Sequence, residues 1–405
     1  MIRTVRTKSG GDGWTLFHGS YILICMNQRR AFTIVELLVV IAIIALLVSI
    51  LLPAIGKARD QAKLTQSMAN LRNMGAGSDS YAAEWNDRQF TLLEDNIAQY
   101  ADNADQAFPA YRNAHNGINH QGVILGWGYV RAGFPPAPTG EYLYFEWPVD
   151  GGHPETRGMV QPIVFSGGGY FSGEYFGSFR LINCRQWNVY MAPKFYDEIY
   201  FAPKDNVVRR EVEKQGCFDD PGEFCAHDTA MTSVLAKPIW SSYVLSPAAM
   251  FNPNVMANPE KGGWTNPWTM PGGFRSPSKG QCRYPSLKTH IIEHHWLQAR
   301  RSSCNPNFTP GTFDDGACEP WYFNHSWESN PATLFYDGHI ETVGVRKAER
   351  ADARVTTQAG YGLWSRDCGN WGADGYHIGA SYDYANTSFH VLTTDGILGR
   401  DILAD

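Results

Sequence analysis

The chain has 405 residues, with few charges (18%), many aromatics (13%), 40 glycines and 23 prolines. That balance favours strands, turns and long ordered loops over a helical bundle. A net charge of −6 supplies no basic surface for an unspecialised nucleic-acid binder, so no nucleic-acid partner is expected.

Residues 1–25 include Trp14, Phe17 and the stretch YILIC, and match no targeting segment. Met26 opens MNQRRA, a short basic leader. Translation is therefore expected to begin at Met26, with 1–25 an upstream extension and 1–31 the leader.

From Phe32 to Leu52 the chain is apolar and carries one charge, Glu36. At ~1.5 Å per residue this run crosses a ~30 Å hydrocarbon core. An apolar run of ~18 or more residues reads as a membrane span rather than a buried soluble helix. Arg29 and Arg30 hold its amino end in the cytoplasm, which predicts a single pass with the remaining chain outside the inner face. A cleaved secretory signal has a core of only ~7–15 residues and a small-x-small site after it. Here the run continues through Pro53, Gly56, Lys57 and Arg59 into a helical pattern, so the span is retained.

Glu36 is the anomaly. A carboxylate within a span costs ~2.5–3.5 kcal/mol on insertion scales and reads as functional unless it lies at the interface. No lysine or arginine stands between residues 31 and 56, so a partner cation must come from elsewhere.

Ala31-Phe-Thr-Ile-Val-Glu36, followed by an apolar helix with Pro53, resembles the class III signal of type IV prepilins and type II secretion pseudopilins. The resemblance implies that prepilin peptidase cuts between Ala31 and Phe32 and methylates the new amino terminus. Glu36 then becomes the fifth mature residue and Pro53 the twenty-second. It also implies that the ammonium of Phe32 pairs with Glu36 of a neighbouring subunit, and so supplies the missing cation. Alanine at position 31 departs from the family's usual glycine, and slower cleavage is expected. Pro53, which lacks a donor, is expected to kink or loosen the helix.

Beyond the span, GKARDQAKLTQSMANLRNMG at 56–75 resembles the large pseudopilin-like proteins of planctomycetes and their relatives. Many of those carry a processing-associated H-x9-D-G element. His325, Asp337 and Gly338 stand here as H-x11-D-G, a departure in spacing. The ending HVLTTDGILGRD is similar to that group as well.

The helix is expected to continue over 53–88, reaching about Trp85. Leu64, Met68, Leu71, Gly75, Ser78, Ala82 and Trp85 recur at helical spacing and predict one face against a sheet, with a bend near Gly75 and Gly77. The segment 89–405 reads as a β-rich extracytoplasmic head. EYLYFEW (141–147) and YFGSFRLI (175–182) read as strands, and TLFYDGHIETV (333–343) as a hairpin turning at Asp337-Gly338. YMAPK (190–194) and YFAPK (200–204) echo each other, but two copies do not make a repeat array.

Seven of the eight cysteines lie in the exported part, where disulfides persist. Cys217 with Cys225, and Cys304 with Cys318, are the close pairs. Without a C-x2-C, zinc is the weaker reading.

HIIEH at 290–294 matches the zinc-peptidase pattern H-x-x-E-H, which needs a helix. Its β-branched neighbours Thr289, Ile291 and Ile292 read as a strand, which would hold the two histidines ~13 Å apart. His325 and His339 beside Asp337 read as structural. SGGGYFSG (166–173) lacks the Lys-Ser/Thr of a phosphate loop. Asp367, Asp374, Asp383 and Asp395 stand on oxygen-rich turns of a kind that suits calcium, but their spacing fits no known loop. No metal ligand set and no cofactor is therefore expected, with calcium held as the alternative.

These readings predict an α+β protein: a long amino-terminal helix, membrane-spanning in its first half, packed on a mostly antiparallel β-rich head with long loops. The function expected is that of a structural, non-enzymatic subunit of a pilus-like or type II secretion filament. Its partners would be prepilin peptidase, other pilin-like subunits and the inner membrane. The alternative is a non-assembling anchored protein whose head binds a glycan or a protein.

Overall fold

The structure, a computed structural model, describes residues 33–121, 123–130, 141–147, 160–163, 178–180, 182–192, 194–214, 216–221, 241–293, 330–364 and 393–404. The chain divides into two compact units at Lys57/Ala58.

Helix α1 runs from Ile34 to Glu84 and is continuous through Pro53. It stops where Asn86 and Asp87 take φ of 56° and 63°, the left-handed conformation common at helix ends. The Asp87 amide then donates back to the Ala82 carbonyl at 2.7 Å.

In the second unit, helix α2 (Ala104–Ala114) is capped by Asn103, whose side chain accepts from the Gln106 amide. Strands β1 (Val123–Val130) and β2 (Glu141–Trp147) pair antiparallel, with a register shift between Ile124 and Trp127. Two short helices follow, α3 (Arg185–Asn188) and α4 (Asn206–Lys214). The central sheet comprises β3 (Tyr243–Leu245), β4 (Thr289–Glu293), β5 (Ala332–Phe335) and β6 (Ile340–Thr342), antiparallel and in sequential order. Helix α5 (Val345–Ala359) ends at Gly360 with φ of 78°.

A long helix with an antiparallel four-stranded sheet in the head is the α+β arrangement read from the sequence. Strand β2 falls on 141–147, and the β5–β6 hairpin turns at Asp337-Gly338, where Gly338 has φ of 87°.

Two readings need correction. Residues 178–180 form a 3-10 turn rather than part of a strand. The Ser178 amide donates to the Gln161 carbonyl and its hydroxyl to Val160, so the local hydrogen bonds are spent on a neighbouring segment, with Phe179 buried beneath. The buried face of α1 is also rotated from the one expected. Ser67, Asn70, Leu71, Met74, Gly77, Ser78, Tyr81 and Ala82 are buried, whereas Trp85 is 51% exposed. The two faces share Leu71, Ser78 and Ala82, and Leu64 and Met68 pack partly buried against the core, while polar Ser67 and Asn70 extend the buried face beyond the apolar spacing.

Gly75 and Gly77 serve close approach within a continuous helix. A Cβ at Gly75 would lie 3.0 Å from Leu334 Cδ2 of β5, and one at Gly77 would overlap Met191 Sδ. The long loop between β3 and β4 is built from 3-10 turns starting at Ser246-Pro247, Asn252-Pro253, Asn258-Pro259 and Asn266-Pro267. In the last three, the asparagine side chain accepts from a backbone amide inside the turn while proline presets the first helical φ.

Candidate functional site

Among the described residues, the amino-terminal half of α1 is exposed along its length. Its most apolar 18-residue window has mean hydropathy 3.2 and is 0% buried, a length and composition able to cross a membrane. Ile34, Leu46, Ile50 and Leu52 are all more than half exposed.

At its start Thr33 and Glu36 form a reciprocal capping box. The Glu36 amide donates to Thr33 Oγ1 at 3.2 Å, while the Thr33 amide and hydroxyl both donate to Glu36 Oε2 at 2.9 and 2.7 Å. The T-x-x-E spacing carries this signal in the sequence, and the reading of Glu36 as an anomaly overlooked it. Ala31 and Phe32, the expected cleavage pair, lie outside the described residues. Pro53 sits inside α1, four positions after Ser49, whose hydroxyl donates to the Leu46 carbonyl.

Asp337 and Gly338 form the β5–β6 turn. Asp337 accepts from the His339 amide and is paired with the His339 ring, which stacks on Phe335 at 4.4 Å. His325 lies outside the described residues, as do Cys225, Cys304, Cys318, Asp367, Asp374, Asp383 and the stretch 166–173. Cys217 is disulfide-bonded, while Cys184 and Cys282 are free thiols whose burial pushes them up to about 12 and about 11. Asp395 accepts from Asn258 and Lys261. Among the described residues no group of three or more His, Cys, Asp or Glu could hold a metal ion.

The H-x-x-E-H segment is strand β4 through Glu293, and His294 lies outside the described residues. Both His290 and Glu293 face α1, although an odd spacing on a regular strand separates two side chains onto opposite faces. The register shift between Thr289 and Ile291 inserts an extra residue and brings them to one side. His290 Nε2 meets Ser78 Oγ at 3.2 Å and its ring stacks on Tyr336 at 4.6 Å. Glu293 accepts from Ser67 Oγ and from the Ala332 amide, and Ser67 in turn meets Tyr243 Oη at 2.7 Å. Desolvation, with a smaller contribution from Lys279, holds His290 well below the usual imidazole range, so it is neutral.

This polar seam joins the second half of α1 to the sheet. Sequence reasoning placed Ser78 on the face against the sheet but missed Ser67 and Asn70, which lie outside the apolar spacing.

A second buried pair anchors the carboxy-terminal segment. Lys288 Nζ meets Asp401 Oδ1 at 3.1 Å and Thr393 Oγ1, with both members of the ion pair fully buried. The other Asp401 oxygen accepts from the Thr289 amide at 2.9 Å. Thus the TTDGILGRD ending is fastened to the start of β4.

A family model described as the prokaryotic N-terminal methylation motif matches residues 26–52. No curated protein and no solved structure matches the chain. That motif, which includes the exposed apolar first half of the long helix α1, fits a type IV pilin-like protein.

Proposed function

We propose that the chain is a structural subunit of a pilus-like or type II secretion filament rather than an enzyme. Residues 32–52 anchor it in the inner membrane, with the amino terminus cytoplasmic and the head outside. Prepilin peptidase cuts between Ala31 and Phe32 and methylates Phe32. Arg29 and Arg30 keep that bond on the cytoplasmic side, because moving two cations across the bilayer is costly. Assembly then withdraws the helix from lipid into a bundle of like helices.

The observation that carries this reading is the methylation motif at residues 26–52, which takes in the exposed apolar first half of α1. In the lone chain both Thr33 bonds fall on Glu36 Oε2, which leaves Oε1 to accept from the Phe32 ammonium of a neighbour. Such a pair contributes more to register than to net stability, since desolvation offsets much of the attraction.

Glu36→Gln tests the pairing, because glutamine keeps the capping box but loses the charge. In-cell cross-linking of the wild type should give a ladder of oligomers, and the variant should insert normally yet give monomer. A wild type that cross-links only as monomer supports a non-assembling anchor instead. Intact mass of the mature protein should correspond to a chain beginning at methylated Phe32. A chain retaining Arg30, or cut beyond Leu52, would return the segment to an ordinary anchor or signal.

A further inference from the structure

A groove of about 990 Å³ opens between the end of α1 and α2, within the upper range of small-ligand sites. Trp85, half exposed, forms one wall. It stacks on Tyr81 at 5.7 Å and 15°, and its Nε1 donates to Tyr190 Oη at 3.0 Å, which donates to Glu84 at 2.8 Å. The indole is thus held in place with one face against protein. Tyr100 and His115, both partly exposed, and the buried Tyr111 also line the groove. Tyr111 and His115 stack at 3.9 Å, Tyr100 meets Tyr111 edge-on at 5.3 Å, and Tyr111 Oη donates to Glu94 at 2.7 Å. Arg88, also lining the groove, forks onto Asp95 and is tied to Ser276. Asn96 and Gln99 stand exposed on the rim.

We propose that this groove binds a neutral oligosaccharide. The half-exposed Trp85 indole and the partly exposed rings of Tyr100 and His115 offer flat apolar surface to the C–H faces of pyranose rings. Amides and carboxylates beside them donate and accept in the way that vicinal hydroxyls require. Two other occupants fit less well. A polyproline segment docks on aromatic grooves and gains from an indole N–H free for its carbonyls, but the Trp85 N–H is already spent on Tyr190. An acidic glycan or phosphate ligand would meet Glu94 and Asp95, with the Arg88 guanidinium already committed to Asp95. The site does not depend on filament assembly, and the cross-linking result leaves it untouched.

The full-length chain in detergent, titrated by calorimetry with cellohexaose, chitohexaose and β-1,4-mannohexaose, tests this, with decaproline as the comparison. At least one hexasaccharide should bind saturably and more tightly than its monosaccharide. Trp85→Ala should weaken it about tenfold, and Gln99→Ala, on the exposed rim, about threefold. Near-UV circular dichroism checks that each variant keeps its fold, and Trp85→Phe should retain most of the affinity. Failure of all three hexasaccharides to bind overturns the proposal. So does binding indifferent to both Trp85→Ala and Gln99→Ala, or a preference for decaproline.

Discussion

The two halves of α1 invert the usual relation between polarity and burial. Residues 34–52 are almost wholly apolar and exposed along their length, whereas the buried residues of α1 lie between Ser67 and Ala82 and include Ser67, Asn70 and Ser78. A continuous exposed apolar surface marks a helix whose partners are lipid or other chains. The second half is buried because small residues let the backbone approach the sheet, and because its hydroxyls and amide satisfy Glu293, His290 and Tyr243, which would be costly to bury alone. Hydrophobicity thus tells which half seeks partners outside the chain, and side-chain size with hydrogen-bond matching tells which half holds the fold.

The contrast can be broken most directly at Leu71, which is fully buried. Leu71→Ala should cost about 2–5 kcal/mol of head stability in denaturant titration of the detergent-solubilised chain. A loss below about 0.5 kcal/mol would mean that the second half is not part of the core.

The polar seam gives the next largest effect, through pH. The folded-state pKa of His290 lies well below its ordinary value of 6.5. Its contribution is therefore complete above pH 6.5 and is lost as pH falls toward the folded value. The slope approaches about 1.4 kcal/mol per pH unit. Desolvation shifts His120 in the same direction, so the seam is read as the difference between wild type and His290→Gln. Between pH 6.5 and 5 the wild type should lose stability faster than the variant, and parallel curves would remove His290 from the account.

Asn103→Ala, at the α2 cap beside the groove, should cost about 1 kcal/mol. This calibrates an ordinary local contact against the seam. The smallest effect belongs to the exposed half. Leu47→Ala, at a position 54% exposed, should leave head unfolding within about 0.5 kcal/mol of wild type. A larger shift would show that this exposed position contributes to head stability.

Several elements were legible because their signals are local. The span is readable from length and hydropathy, and the β5–β6 hairpin from Asp337-Gly338, where glycine alone takes the positive φ without strain. The Asn-Pro turns at 252, 258 and 266 and the T-x-x-E box at Thr33 are equally local, but their signal is side-chain capping of backbone amides and does not show in apolar periodicity. The strand expected at 175–182 failed for a different reason. Its aromatic spacing is real, but Ser178 bonds across to Val160 and Gln161, a choice fixed by a distant segment.

The sequence by itself determined the amino-terminal signal, the apolar span and the helical continuation. Each of these depends on periodicity, charge placement and chain length within one stretch. Only the tertiary structure decided which face of α1 is buried, that His290 and Glu293 share a side of β4, and that Lys288 meets Asp401 across 113 positions. These are pairings between segments far apart in the chain. Their energy comes from mutual desolvation and hydrogen-bond geometry, which exist only once both partners are brought together.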